Sequence, residues 1–302
     1  MHEECQYLDL MQDILEKGTE SDDRTGVGTW SIFGTQMRFD LSKSFPVLTT
    51  KRVYWRGVVE ELLWFIRGET DSKILEEKKV NIWRDNTTRE FLDKRGLDFP
   101  EGEIGPGYGW QMRNFGGTYE MRHRHEGDFL KGVKHLTKIK DGIDQLSNVV
   151  DQIKNNPNSR RIIMTLWNPK QVDKTALPPC HGICIQFYVR DGKLSCLMHQ
   201  RSVDSFLGLP FNISSYSLLT CLLAKLNGLE PGELIWVGGD THIYKNHINQ
   251  VKEQLTRIPY EFPQLNIKKE LNSLQDIEEL NFEDLELIDY KCHPSIKAPM
   301  AI

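Results

Sequence analysis

No stretch of this sequence is apolar for long enough to span a bilayer; every hydrophobic run is broken well short of the roughly 20 residues that a span needs. The opening segment, MHEECQYLDLMQDILEKG, has neither the basic start nor the apolar core of a secretory signal. Positive charge is not in excess: 38 Lys and Arg stand against 43 Asp and Glu, a net charge of -5. That balance argues against a dedicated nucleic-acid partner, although a local basic pocket is compatible with it. Cysteine is sparse and scattered (Cys5, Cys180, Cys184, Cys196, Cys221, Cys292), which fits reduced thiols rather than a disulfide framework. No repeat, low-complexity tract or Ser/Gly linker marks a boundary. These absences predict a soluble, cytoplasmic protein with no membrane partner, folded as one domain over residues 1–302.

What is present reads as alternating helices and strands. Helices are predicted over 3–17, 57–67, 141–154 and 215–226. The second carries an apolar stripe of Val58, Val59, Leu62, Leu63 and Ile66, and the last is apolar nearly all round and needs cover on most sides. Strands are predicted over 30–40, 162–167, 182–189 and 193–200, with an extended connection over 44–50. The last two strands flank Asp191-Gly192, a strong hairpin signal. Hairpins mixed with helices indicate an α+β fold. Residues 118–140 are dense in charge and weakly patterned, and are expected to form an exposed insertion. His123 and His125 within it lack the Cys or acidic companions of a metal site, so no metal is expected.

Two segments stand out chemically. Pro178-Pro179-Cys180-His181 sets a cysteine after a rigid turn at the start of a strand. A buried structural thiol is one reading and a nucleophile another; a nucleophile would need positive charge nearby to favour the thiolate. His181 is poorly placed as its base, because neighbours in a strand point to opposite faces. The second segment, QRSVDSFLGLPFNISSY (200–216), reads as irregular polar structure between a hairpin and a buried helix, the kind of place where sites are built. Taken alone, Asp204 and Asn212 in it are equally turn or capping residues, and Arg160-Arg161 a solvated pair.

Together with DRTGVGT (23–29), EELLWFIRGET (60–70), IW (82–83), YGWQ (108–111), SRRII (159–163), LPPCH (177–181), GGDTHIY (238–244) and IKAPMAI (296–302), these segments closely resemble the thymidylate synthase family. The resemblance runs from about residue 24 to residue 302. It implies a large mixed sheet packed against its mate across a two-fold dimer. It also implies transfer of a one-carbon unit from 5,10-methylenetetrahydrofolate, a reduced folate co-substrate, to dUMP. Cys180 matches the nucleophile that adds to carbon 6 of the pyrimidine. Arg24, Arg201 and Ser202 match phosphate ligands, and Arg160 and Arg161 match a pair donated in trans by the other subunit. His242 and Tyr244 match the ribose contacts and Asn212 the residue that reads the base. Glu61 matches the proton-relaying acid, which pattern alone does not separate from Glu60, and Tyr108 the group implicated in removing the carbon 5 proton. Asp204 matches the pterin partner. Ile82, Trp83, Leu207, Gly208, Phe211 and Ala301 match the folate lining, with Asn86 and Lys51 as further candidates.

Three departures from the family pattern bear on the product. One extra residue lies between Cys180 and Gln186, for which a β-bulge is expected. Gly107 stands where a branched residue is usual, and Arg84 where an acid is. They keep open a pyrimidine hydroxymethylase of the same family, in which water replaces the final hydride. A non-catalytic nucleotide- or RNA-binding homologue is the alternative from another class.

Overall fold

The computed structural model describes residues 2–23, 25–119 and 141–300. A six-stranded mixed sheet forms the centre. Its strands are β1 (Thr19–Ser21), β2 (Thr29–Asp40), β3 (Ile163–Met164), β4 (Cys184–Arg190), β5 (Lys193–Asp204) and β6 (Glu230–Tyr244), in the order β1-β2-β6-β5-β4-β3. All pairings are antiparallel except β5 with β6, which are parallel and joined through a long helix. The helices are α1 (Cys5–Lys17), α2 (Trp55–Ile66), α3 (Lys73–Glu77), α4 (Arg89–Lys94), α5 (Tyr108–Asn114), α6 (Gln145–Asn155), α7 (Gly208–Leu226), α8 (Ile248–Leu255) and α9 (Leu274–Glu278). A small ribbon, β7 (Gln264–Ile267) with β8 (Leu285–Ile288), stands apart from the main sheet. The fold is α+β, as the sequence predicts.

Among the described residues the sheet is covered on one face. Leu194, Cys196, Met198, Leu234 and Trp236 alternate inward and are fully buried, under α1 and α7, which pack on β2, β5 and β6. The intervening residues Leu197, Ile235 and Val237 are only half-buried, and Tyr188 and Phe33 are 56% and 87% exposed. A shallow concavity of about 770 Å³ runs over this uncovered face between Arg38, Tyr188 and Leu197.

Most predicted elements form with shifted ends. The β4–β5 hairpin closes through Asp191 and Gly192, both at positive φ (50 and 74), as a two-residue turn of that hand requires. The strand expected over 162–167 shrinks to two residues. Two differences matter for function. First, 200–216 is not irregular: β5 continues to Asp204 and α7 begins at Gly208, seven residues earlier than predicted. Pro210 falls in the first turn of α7, where its missing N–H costs no helical bond, so it does not break the helix as its sequence context suggests. Second, the extra residue after Cys180 produces no bulge in β4. The ladder from Cys184↔His199 to Arg190↔Lys193 is regular, and the extra length is taken up before the strand, where Gly182 adopts φ 69. A side chain at Gly182 would collide with Leu166 and Tyr216, so only glycine fits this kink.

Candidate active site

Cys180 sits in the irregular run ahead of β4, half-buried, beneath the first turn of α5. Its backbone N–H donates to Tyr108 Oη at 3.1 Å, and the same oxygen lies 3.6 Å from Sγ. The phenol oxygen accepts from the backbone, and either the O–H or the S–H can donate across the second contact. Arg201 approaches from β5. Its N–H donates to Cys180 O (2.9 Å), while Nε and Nη2 donate to Pro179 O (2.9 Å) and Pro178 O (3.1 Å). Burial pushes the Cys180 thiol up; the Tyr108 hydrogen bond and the Arg201 charge pull against it. His181 turns away from the sulfur: its Nδ1 meets Tyr216 Oη at 2.8 Å, and burial drops its pKa to about 3, leaving it neutral.

Tyr108 is itself held under strain. It has φ 25, outside the range ordinary residues adopt. Its ring stacks on Phe65 (4.9 Å) and meets Trp83 edge-on (5.5 Å). A Cβ on the preceding Gly107 would lie 3.5 Å from Thr175 and 3.8 Å from Ile104, in ordinary contact. The side chain that Gly107 lacks therefore faces those two residues.

The two acids of α2 separate clearly. Glu60 is buried in an ion pair with Lys78 (2.6 Å), with Arg56 at 3.8 Å. Glu61 meets no cation among the described residues. It accepts one hydrogen bond from Trp83 Nε1 (2.8 Å), and desolvation lifts its carboxyl to about 7. A half-buried acid near neutrality can both give and take a proton at physiological pH.

Asn212 is the fifth residue of α7, 8% exposed. Its orientation is set by a relay that the sequence did not reveal. Trp236 Nε1, which can only donate, donates to Gln200 Oε1 (2.9 Å). Gln200 Nε2 then donates to Asn212 Oδ1 (2.9 Å). Asn212 Oδ1 is thereby fixed as the acceptor toward Gln200, with the NH₂ and one acceptor lone pair left for other partners. Gln200 lies within the segment the sequence singles out, but Trp236 lies on β6, a strand not among those predicted from the sequence.

Asp204 ends β5. Its Oδ1 accepts from Phe206 N (2.9 Å) and Leu207 N (3.2 Å), while Oδ2 takes no hydrogen bond among the described residues. Leu207, Gly208 and Phe211 follow on the first turn of α7, and Ile82, Trp83 and Asn86 come from the turn after α3. Arg84 is turned to solvent and pairs with Asp85. Lys51 is buried: its ammonium donates to Phe206 O and sits over the Phe206 ring, and burial lowers it to about 7. His242 is 9% exposed, with Nδ1 2.7 Å from Asp240 Oδ1, and its ring meets Tyr244 edge-on. Ser202 pairs across the sheet with Asp240. Arg160 and Arg161 are exposed beside β3. Arg24 and Ala301 lie outside the described residues, as do His123 and His125 and residues 120–140 of the predicted insertion. The Asp23 carboxylate beside Arg24 ties its loop, accepting from Thr25 N, Thr25 Oγ1 and Gly28 N. Tyr119, at the start of the predicted insertion, is packed inward, with Oη 2.6 Å from Glu103. Among the described residues no group of three or more His, Cys, Asp and Glu could hold a metal.

Residues 5–302 match the family model described as thymidylate synthase. The chain is 52% identical over 302 residues to the thymidylate synthase of Human herpesvirus 8 type P (isolate GK18), covering 100% of this chain and 85% of that protein. It is 50% identical over 304 residues to the thymidylate synthase of Herpesvirus ateles, covering 100% and 99%. It is also 50% identical over 306 residues to the bifunctional dihydrofolate reductase-thymidylate synthase of Leishmania major, of whose length it spans just over half (56%).

Proposed function

We infer from its membership of the thymidylate synthase family, to which this chain belongs, that it is a methyltransferase that converts dUMP to dTMP. The observation that carries this reading is that Tyr108 of α5, Arg201 of β5 and Glu61 of α2 meet at Cys180 in the run ahead of β4, with Asn212 of α7 held by Gln200, the neighbour of Arg201. A merely structural cysteine needs none of these neighbours.

The chemistry follows from what each group can do. The Cys180 thiolate, favoured by Arg201 and the Tyr108 hydroxyl, adds to carbon 6 of the uracil and makes carbon 5 nucleophilic. Asn212 donates to carbonyl 4 and accepts from the N3 proton, the pattern of uracil and the reverse of that of cytosine. Glu61, with its carboxyl near 7, moves protons at the pyrimidine carbonyl and the folate. Tyr108 Oη is close enough to the sulfur to serve removal of the carbon 5 proton. Arg24, Arg201 and Ser202 hold the phosphate, and His242 and Tyr244 hold the ribose. 5,10-Methylenetetrahydrofolate supplies the carbon and the hydride and leaves as dihydrofolate. The chain's residues fit it: the unengaged Oδ2 of Asp204 suits a pterin N–H, and Ile82, Trp83, Leu207 and Phe211 offer half-buried apolar walls, with Gly208, Asn86 and Ala301 beside them. No step calls for a metal. The fate of the Gly107 side chain and the regular β4 weaken the case for a hydroxymethylase, since neither departure opens space toward Cys180.

The uncovered sheet face supports a homodimer in which Arg160 and Arg161 reach the partner's phosphate site, because both are exposed beside β3. The reading further takes residues 1–302 as one catalytic domain acting in the cytoplasm. A spectrophotometric assay of dihydrofolate formation, with the nucleotide product identified by chromatography, tests the function. One dTMP per dihydrofolate is expected; 5-hydroxymethyl-dUMP with tetrahydrofolate left unoxidised would overturn it.

A further inference from the structure

His247 is fully buried at the end of the short turn Lys245–His247 that follows β6. No role attaches to it in the sequence, yet it touches two parts of the site at once. Its Nε2 is 2.7 Å from Pro299 O, and its Nδ1 is 3.8 Å from Asp204 Oδ1. Hydrogen bonds among the described residues reach the last part of the chain at Tyr290, His293 and Pro294, and thereafter only at Pro299. A proline has no N–H, so its carbonyl is the only backbone group it can offer.

The tautomer is forced on one side. A carbonyl only accepts, so Nε2 must carry a proton. In the neutral ring the bare lone pair of Nδ1 would then face the Asp204 carboxylate, and Nδ1 has no hydrogen-bond partner there. Protonation of Nδ1 turns that opposition into attraction. The charged or titratable groups around the ring are Asp204 from β5, Lys51 from the turn just after the 44–50 connection and Tyr244 from β6. Burial lowers the imidazole, and Lys51 lowers it further. Asp204 and the Pro299 carbonyl outweigh both and hold it above its ordinary range.

We propose that His247 is a positioning residue that holds the 296–300 segment and the Asp204 carboxylate in one arrangement, so that seating a pterin on Asp204 and closing that segment over it are coupled. This rests on the reading of Asp204 as the pterin partner. The coupling has a physical basis because Asp204 cannot rotate toward a ligand without changing its distance to Nδ1, and the ring cannot follow without moving Pro299.

The test compares His247→Ala with His247→Gln in the full chain. The amide of Gln can reach the position of Nε2 and restore the donor to Pro299 O. In His247→Ala, amide hydrogen exchange across 296–300 should quicken at least tenfold, and the KM for methylenetetrahydrofolate should rise five- to tenfold. Binding of dUMP alone should stay within twofold. His247→Gln should recover most of the exchange protection and most of the folate KM. Faster exchange with an unchanged folate KM would overturn the coupling, and so would a loss of dUMP binding equal to the loss for folate. If Asp204→Asn leaves the folate KM untouched, the site reading fails and takes the proposal with it; that case is recognisable because the exchange effect of His247→Ala would persist.

Discussion

Tyr108 Oη is bound to Cys180 twice, accepting from its backbone N–H at 3.1 Å and facing its sulfur at 3.6 Å. Phe at this position would keep the stack on Phe65 but remove both contacts. Tyr108→Phe should lower kcat by about 10²-fold or more, within the range typical of a positioned acid or base. It should also cost about 1–3 kcal/mol of stability, because the Cys180 N–H loses its partner. Steady-state kinetics with urea denaturation reads both; a kcat within threefold of the parent would remove Tyr108 from the reaction.

Cys180 is expected to be the covalent nucleophile. 5-Fluoro-dUMP with methylenetetrahydrofolate should give a stable adduct, which mass spectrometry assigns to Cys180 and which Cys180→Ser abolishes. Cys184, four residues on, is the internal control, since burial raises its thiol and no cation lowers it. An adduct at Cys184 would refute the assignment.

The Trp236–Gln200–Asn212 relay predicts a preference for uracil that depends on residues out of reach of the base. Asn212→Asp should shift preference toward dCMP. Gln200→Leu should release the Asn212 amide and narrow the discrimination, which unpaired groups set at roughly 1–3 kcal/mol, about 5- to 150-fold. Comparing kcat/KM for dUMP and dCMP checks this. Equal turnover of both by the parent enzyme would be incompatible with a locked amide.

Glu61 makes the stability of the fold depend on pH. The folded carboxyl stands at about 7 against an ordinary 4.5. Below 4.5 both folded and unfolded states hold the proton and nothing is lost. Between 4.5 and 7 the unfolded chain releases it first, so stability falls as pH rises, and above 7 the penalty is complete. Glu61→Gln keeps an acceptor for Trp83 and removes the penalty. It should gain about 1–3 kcal/mol on the parent between pH 4.5 and pH 8, allowing for solvent screening, while losing most of kcat. Thermal melts at the two pH values decide it. Glu60→Gln should do the opposite: it should lose stability by freeing Lys78 yet keep kcat within a few-fold.

The proposed sharing of sites across a dimer predicts complementation. Inactive Arg161→Ala and inactive Cys180→Ala chains, mixed and refolded, should recover partial activity, because one hybrid site is intact. Full activity in a species shown to be monomeric by sedimentation would be the contrary result.

The sequence carried the fold class, the hairpin at Asp191-Gly192 and the residues around Cys180, because period-two and period-3.6 patterns and long motifs are local signals. It did not carry the start of α7, since Gly208 and Pro210 look like breakers until one knows they occupy a first turn. Nor could it separate Glu60 from Glu61, because the difference lies in Lys78 and Trp83, which approach from elsewhere. Gln200's partner Trp236 and the ring of His247 escaped for the same reason: a buried tryptophan or histidine has one appearance in sequence whether it fills space or orients a neighbour.

The placement of the extra residue after Cys180 has a consequence for where this chain can change length. Gly182 absorbs it before the first rung of the β4 ladder, so no side chain downstream changes face. From the eighth residue of β5 onward the case is different, because Gln200, Arg201, Ser202 and Asp204 lie close together on one strand. A single deletion there would turn Gln200 of the relay, the proposed phosphate ligands Arg201 and Ser202 and the proposed pterin partner Asp204 to the wrong sides together. Variation in length should therefore be tolerated at the nucleophile's own loop and lethal in the strand beside it.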